Sequence, residues 1–236
     1  MSSLGVVVFN LQGMKHLSQC LDSVQWADAV TVRDLDRNGN PNSVNETERL
    51  CEEIKTDWVL YLWGEEKVGT ELREELNLVR QAELQTSPLF HSIPIRSFLL
   101  GRWVKGSLWG PSPSCRLCRQ GVSPSVSWWN SDREVHGNPS RLLRSWIDDY
   151  SCAELRDGVE RVNQISSLWA ERLRSEGRTL STASISLYPL RVLMRLLITN
   201  GLFFEGLAGL SLSSLAAYAT LVSGMKWWET HRSIPG

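Results

Sequence analysis

The chain has 236 residues, of which 42% are hydrophobic, and its 25 basic side chains nearly balance its 26 acidic ones. This length is enough to bury the core of one domain with an appendage. Because the charges nearly cancel, the composition excludes a strongly basic protein, and no nucleic acid is expected among its partners.

The cysteines and the first residues bear on the compartment. Five cysteines at irregular spacing argue against a disulfide framework and favour a reducing environment. The chain enters a strand-like run at once, without the basic segment, longer apolar core and cleavage site of a secretory signal. We therefore expect a cytoplasmic protein.

The first hundred residues alternate between two hydrophobic patterns. Short apolar runs rich in β-branched residues predict strands at Leu4–Phe9, Ala29–Val32 and Trp58–Leu62. Helical spacing predicts helices over about residues 14–24, 44–54 and 70–83. Strand and helix in regular alternation indicate an α/β fold with a parallel, doubly wound sheet.

The middle of the chain has a different pattern. Between Ile93 and Val126, glycines and prolines separate short hydrophobic runs, which predicts antiparallel strands and loops beside the parallel sheet. Cys115 and Cys118 lie in this segment at the spacing of a zinc half-site, but no second pair accompanies them. Residues three apart on a strand face opposite ways, so we expect ordinary buried or half-buried cysteines.

From Ser145 onward the spacing predicts helices, namely Ala153–Ser175, Leu187–Ile198 and Gly206–Val222. The second of these is amphipathic and basic, and the third is an uncharged run of 17 residues followed by a tryptophan pair. Three interpretations stay open. In the first interpretation the last two helices form a buried hairpin packed on the sheet. In the second they lie peripherally on the inner face of the membrane, and in the third the uncharged run spans the membrane.

Four blocks, in order along nearly the whole chain, resemble family 2 glycosyltransferases of the GT-A fold, in the branch that adds sugars to the lipopolysaccharide inner core. They are Cys20–Asp28, Asp57–Leu60, the pair Leu100–Lys105 and Arg116–Arg119, and Gly201–Gly209. The resemblance implies a nucleotide-sugar-binding and acceptor domain over residues 1–144, with antiparallel strands on the acceptor side. Residues 145–236 remain as a helical C-terminal region, for which membrane association is one of the three open interpretations.

The resemblance also implies a mechanism. Inverting transferases of this family bind a nucleotide-sugar, hold Mg²⁺ or Mn²⁺ on its diphosphate with carboxylates, and deprotonate a glycan or glycolipid acceptor with a carboxylate base. The metal offsets charge on the leaving diphosphate. The base is needed because a sugar hydroxyl is a poor nucleophile until its proton is accepted.

On the nucleotide side, the resemblance implies contacts from four positions, which are Gln12, Asp34, Trp63 and Glu65 in this chain. The first strand should end in an Asn-Glu-type pair, and this chain has Gln12-Gly13 there. Asp34 matches the acid that contacts the nucleobase. The metal motif, Asp-x-Asp-Glu in the family, is Trp63-Gly64-Glu65-Glu66, so an indole replaces one ligand and only Glu65 and Glu66 remain to hold a cation.

On the acceptor side, the matching block carries Trp103, Lys105, Trp109 and Arg116, which the resemblance makes candidate acceptor contacts. The His-Glu pair that supplies the base in the family is His136-Gly137 here, and glycine cannot accept a proton.

Two hypotheses follow from these departures. The first is a degenerate glycosyltransferase, impaired or inactive, that needs no metal, has lost or weakened nucleotide-sugar binding, and works with an active paralogue in envelope-glycan assembly. The alternative is an active inverting transferase that moves a hexose to a lipid-linked or lipopolysaccharide acceptor with a shifted Glu65 and Glu66 metal site. An open cleft lined by Asp34 and both glutamates would favour the alternative.

Overall fold

The computed structural model of the protein describes residues 1–35, 54–82, 88–108, 112–121, 141–175 and 177–231. The helix predicted over 44–54 lies outside these ranges except for its last residue. The strands within them are β1 Leu4–Leu11, β2 Ala29–Leu35, β3 Trp58–Trp63, β4 Glu66–Val68, β5 Phe90–Ile93, β6 Ile95–Leu99, β7 Arg102–Lys105, β8 Ser114–Arg119, β9 Arg141–Leu142 and β10 Ile147–Asp149. The helices are α1 Leu17–Val24, α2 Thr70–Gln81, α3 Leu155–Ser175, α4 Thr182–Met194 and α5 Gly206–His231, with a π-helical turn at Arg195–Thr199 and a 3₁₀ turn at Leu202–Glu205.

The larger sheet has the strand order β2-β1-β3-β8-β5-β9. Strand β1 pairs in parallel with both β2 and β3, whereas β8 runs antiparallel to β3 and to β5. Alternate residues of β1 and β3 enter two different cores. Val6, Val8, Leu60 and Leu62 pack in the cluster that α1 and α2 cover, and Val7 and Tyr61 belong to the cluster on the other face. The buried, β-branched runs therefore form the parallel strands that the sequence predicts.

A second sheet, in the order β4-β10-β6-β7, supplies the antiparallel extension. Its strand β10 lies in a segment where the sequence pattern predicts only helix, and that prediction is wrong for Ile147–Asp149. Ile147–Asp149 has a single apolar residue, which is too little pattern to predict a strand, and it becomes one because β4 and β6 hydrogen-bond to its two edges.

Strand β8 contains a bulge. Leu117 pairs with His91 and Cys115 pairs with Ser92, so Arg116 is the extra residue on this strand. The bulge shifts the alternation by one, because two residues of β8 oppose one step of β5. As a result, Cys115 and Cys118 share one face with their Sγ atoms 3.3 Å apart, which corrects the expectation that they face opposite ways. Both are buried, as expected, and both are free thiols.

The C-terminal helices share a core with the sheets. The apolar side chains of α3 and α5 pack in one cluster with Leu11 and Trp63 of the larger sheet and with Leu99 and Val104 of the smaller one. On α5, the hydroxyls of Ser213, Thr220 and Ser223 donate to backbone carbonyls four residues earlier, which lets these polar residues be buried.

One helix of the described chain, Leu202–Thr230, is long and apolar enough to cross a membrane by length and composition, with a mean hydropathy of 1.4. Its most apolar window is 56% buried inside the protein, and the core helix of a globular domain meets the same criteria. The interpretation in which the run spans a bilayer would require these packed side chains to leave the core.

The predicted fold class is confirmed: a mostly parallel sheet flanked by helices, an antiparallel extension and C-terminal helices. The boundary between residues 144 and 145 stays a prediction.

The turn between β6 and β7 generates a stability prediction. Its two central residues, Leu100 and Gly101, both have positive φ, 52° and 77°. A two-residue hairpin turn of this kind favours Asn-Gly, and a leucine in the left-handed region costs about 1–2 kcal/mol. We expect Leu100→Asn to raise the free energy of unfolding in urea by about 1 kcal/mol. Leu142→Asn, at an exposed strand leucine without positive φ, should give no gain, and an equal gain in both variants would contradict the argument.

His91 generates a pH prediction. Its side chain is 1% exposed and lies against Trp58, with ring centroids 5.2 Å apart. Burial, aided by the positive charge of Arg141, lowers the pKa of His91 from 6.5 to about 4. The unfolded chain therefore takes up a proton before the folded one, and stability falls as the pH drops from 6.5 towards 4.

The unfolding free energy that is lost through His91 amounts to about 3 kcal/mol once the pH lies below the pKa values of both the unfolded and the folded protein. Urea unfolding of the unaltered protein and of His91→Leu, measured at several pH values between about 7 and 4, should show a shallower fall in the variant. Parallel pH profiles would mean that His91 keeps its ordinary pKa in the folded protein.

Candidate functional site: an acidic motif held by arginines

The carboxyl ends of β1, β2 and β3 meet at one edge of the larger sheet, which is where open α/β sheets bind ligands. Asp34 is exposed at this edge, and its Oδ1 accepts a hydrogen bond of 2.6 Å from the side-chain amide of Asn10. The two residues are register partners on β2 and β1. The structure therefore brings Asn10, which the sequence analysis missed, beside the predicted nucleobase contact.

Gln12 lies in the loop after β1, and α3 holds this loop. The backbone carbonyl of Gln12 accepts from Gln164, and that of Gly13 accepts from Arg161 at 2.8 Å. Two residues later, the ammonium of Lys15 forms an ion pair with Asp157 at 2.7 Å. Helix α3 is thus attached to the segment that would face a bound nucleotide.

Trp63 ends β3 in the core. Its side chain is 8% exposed and packs in the cluster of the C-terminal helices, with its ring centroid 5.4 Å from that of Phe9. Gly64 follows at a point of close approach, because a Cβ atom there would lie 2.8 Å from the sulfur of Met14. The first half of the predicted metal motif is therefore closely packed.

Glu66 is fully buried and bound to Arg116. The guanidinium donates to Oε1 at 2.8 Å and to Oε2 at 3.2 Å, and the backbone N–H of Trp63 donates to Oε2 at 2.8 Å. Arg116 is only 1% exposed. The bulge in β8 gives this arginine its position, so the predicted acceptor contact is a core residue that neutralises the acidic motif.

Glu65 is bound in the same way from the opposite side. The Nε and Nη2 atoms of Arg161 each donate to one of its carboxylate oxygens at 2.9 Å, and the backbone N–H of Lys15 donates to Oε1 at 3.2 Å. The side chains of Arg161 and Glu65 are 6% and 3% exposed. Two adjacent glutamates thus hold two arginines, one from the sheet and one from α3.

A third carboxylate lies next to these pairs. Asp149 is the register partner of Glu66 and is fully buried, and it accepts hydrogen bonds from the hydroxyls of Ser97 and Ser107 and from the N–H of Ser151. Burial raises the pKa of Glu66 above its ordinary value, Arg116 opposes this rise, and Asp149 adds to it. Burial likewise raises the pKa of Glu65, with Arg161 opposing it.

The acidic motif does not fit a divalent cation as it is arranged. Magnesium and manganese need carboxylate oxygens directed at a common point that a diphosphate can also reach. All four oxygens of Glu65 and Glu66 already accept from guanidinium groups, and both residues are at most 2% exposed. In the described ranges, no group of three or more histidine, cysteine or acidic side chains has the arrangement of a metal site.

The remaining acceptor-side residues are only partly brought together. Trp103 is half-buried beside Phe98 and Tyr150, with ring centroids 5.3 Å from each, and the ammonium of Lys67 lies 4.0 Å from the centre of the Tyr150 ring. Lys105 is exposed at the end of β7. The structure therefore adds Tyr150 and Lys67 to the surface that carries Trp103. Trp109, His136 and Gly137 lie outside the described residues.

Arg161 and Asp149 were missed for a physical reason. Neither belongs to a sequence motif, and each lies more than 80 residues along the chain from the glutamate that it meets in the structure. Asn10 carried a readable signal, because it is the polar residue that ends the apolar run of β1.

No family model matches the chain. Among solved structures, it is similar to the crystal structure of S. aureus TarS 1–349, a family 2 glycosyltransferase, over 98% of this chain and 93% of that chain. The two sequences are 10% identical and the TM-score is 0.40. A likeness at this level carries no argument about activity or substrate, and the fold class rests on the strands and helices themselves.

The buried pairs generate a prediction about stability. Arg116→Met leaves the Glu66 carboxylate buried without its partner, so we expect it to cost about 3–5 kcal/mol of unfolding free energy. The double variant Arg116→Met with Glu66→Gln should cost less than the two single variants added, because no lone charge remains. Urea unfolding of all four proteins gives the coupling energy.

The exposed pair Arg156–Glu160 provides the control, since its side chains are 84% and 62% exposed. Arg156→Met should change the free energy of unfolding by less than about 0.5 kcal/mol. Additive costs in the Arg116 and Glu66 cycle would mean that the two side chains do not interact in solution as they do in the structure.

Proposed function

We propose that this protein is a glycosyltransferase-like scaffold that no longer performs metal-dependent transfer and serves as a non-catalytic component of cell-envelope or lipopolysaccharide glycan assembly. The observation that carries the proposal is the pair of buried, two-point contacts between Glu65 and Arg161 and between Glu66 and Arg116. The link to lipopolysaccharide rests on the resemblance of the sequence blocks, above all Gly201–Gly209.

The arginines take over the electrostatic task of a metal without its chemistry. A guanidinium is a fixed monocation whose N–H groups match the two oxygens of a carboxylate, so it neutralises Glu65 and Glu66 inside the protein. A divalent cation held by Glu65 and Glu66 would instead offset the negative charge that develops on the leaving diphosphate. In this structure every oxygen of Glu65 and Glu66 accepts from a guanidinium, and both side chains are buried, so neither carboxylate is presented to a cation that also reaches a diphosphate.

The position of α3 supports the same conclusion. Arg161 binds both Glu65 and the carbonyl of Gly13, and Lys15 is paired with Asp157. These contacts hold the loop after β1 against the helix, and the loop joins the nucleotide edge of the sheet to the acidic motif. Opening the motif to a ligand would break the buried ion pair between Arg161 and Glu65.

Two features that are at least partly open to solvent could still bind ligands. The Asn10–Asp34 pair offers an amide and a carboxylate at the sheet edge, which suits the hydrogen-bonding groups of a nucleobase. The aromatic group of Phe98, Trp103 and Tyr150 offers rings on which a sugar can stack. We propose a nucleotide-sugar and a glycan or glycolipid as the ligands of these surfaces, and an active paralogue as the protein partner.

Calorimetric titration with UDP and UDP-sugars, with and without Mn²⁺, tests the proposal. We expect Mn²⁺ to leave the affinity for each nucleotide unchanged, because Glu65 and Glu66 are held by arginines. Nucleotide binding that is independent of Mn²⁺ and weakened in Asp34→Asn would agree with a scaffold that kept only the nucleobase contact.

Binding that requires Mn²⁺ and disappears in Glu65→Gln would overturn the proposal and favour the alternative, an active transferase with a shifted metal site. Asp22→Asn is a matched control, because this acid is exposed on α1 and its carboxylate accepts a hydrogen bond from Gln25, not from the arginines of the motif. It should bind nucleotides as the unaltered protein does.

A further inference from the structure

Helix α4 is apolar on two opposite sides. One stripe, Ile185, Pro189, Val192 and Leu196, is buried against the rest of the protein and continues into the π-helical turn. The opposite stripe is equally apolar but faces outward, and it consists of Leu187, Leu190, Met194 and Ile198, which are 46–67% exposed. A surface helix normally places polar residues on its outer side, so this stripe calls for an apolar partner.

Further exposed apolar residues follow α4 along the chain. In the 3₁₀ turn, Phe203 and Phe204 are 71% and 89% exposed, and Leu207 and Leu210 at the start of α5 are 71% and 47% exposed. Leu202, fully buried, anchors the turn, and glycines with positive φ flank it at Gly201 and Gly206. We name these eight exposed residues the C-terminal apolar face: Leu187, Leu190, Met194, Ile198, Phe203, Phe204, Leu207 and Leu210.

Positive charge accompanies this face. Arg191 and Arg195 are exposed on the same helical segment, and together with Met194, Ile198 and Thr199 they line a groove of about 590 Å³. Arg102 of β7 reaches the carbonyl of Glu205 at 3.5 Å, next to the phenylalanines. Between Leu180 and Trp228, the sequence has Glu205 as its only acid.

We propose that the C-terminal apolar face binds the surface of a bilayer that contains anionic lipid. Exposed phenylalanines and leucines at the end of a helix can enter the boundary between headgroups and acyl chains. Arginines beside them bind the lipid phosphates, and each adds to the affinity for an anionic surface. Because α5 is packed in the core, the protein lies on the membrane and does not cross it.

A second copy of the chain is a poorer fit to this face. In a two-fold dimer the same patch meets itself, which would bring the arginines of one copy towards those of the other with Glu205 as the only acid of the segment. A bilayer with anionic lipid suits both features of this face, because its headgroups carry negative charge for the arginines and its interior is apolar for the leucines and phenylalanines. The proposal does not rest on the proposed function, because it concerns a surface far in sequence from Glu65 and Glu66.

Co-sedimentation of the full chain with lipid vesicles tests the proposal. We expect binding to vesicles of phosphatidylcholine mixed with phosphatidylglycerol, weaker binding to phosphatidylcholine alone, and a loss of binding at high salt. Phe203→Ser with Phe204→Ser should abolish sedimentation at unchanged unfolding midpoint, since both side chains are exposed. Arg191→Gln should weaken binding roughly fivefold.

The controls are matched in exposure and chemistry. Leu78→Ser with Leu142→Ser removes two leucines that are 65% and 58% exposed elsewhere on the protein, and should leave binding unchanged. Arg156→Gln does the same for an exposed arginine. The proposal is overturned if the unaltered chain ignores anionic vesicles, if the phenylalanine variant binds as well as the leucine control, or if the unaltered chain is a dimer that the phenylalanine substitutions dissociate.

Discussion

The structure depends on two adjacent glutamates that are buried and must be neutralised. A carboxylate without a partner inside a protein costs several kcal/mol, so Glu65 and Glu66 oblige two cations to be built into the fold. Arg116 comes from β8 in the larger sheet and Arg161 from α3 in the C-terminal region. The two glutamates are adjacent in sequence, whereas Arg116 and Arg161 belong to different elements. The two ion pairs therefore link the larger sheet to helix α3.

Other irregular features follow from that constraint. The bulge in β8 supplies the extra residue, Arg116, that lies beside Glu66, and it also brings Cys115 and Cys118 to one face. The loop after β1 lies against α3 because Arg161 binds both Glu65 and the carbonyl of Gly13. The same arginines donate to all four oxygens of the two carboxylates, so these contacts both stabilise the fold and support the proposal that metal-dependent transfer has been lost.

The outer side of α4 carries apolar side chains that the fold itself does not bury. Its inner stripe already fills the space against the core, so the outer leucines and methionine gain nothing from folding and remain in water. Their presence beside Arg191 and Arg195 is understandable if the surface is covered by something both apolar and anionic. The acidic motif at the sheet and the C-terminal apolar face are therefore separate features of one scaffold, and each supports its own proposal.

The sequence by itself determined the fold class and most of the elements. Strands β1 and β3 and helix α2 were predictable because each is a local pattern of burial, and the loss of the first acid at Trp63 is visible in the motif. Only the tertiary structure decided the state of the motif that remains. Arg116 was predicted as an acceptor contact, and no sequence pattern singled out Arg161. The charge that neutralises a buried carboxylate is set by distance in space, which neither periodicity nor spacing along the chain encodes.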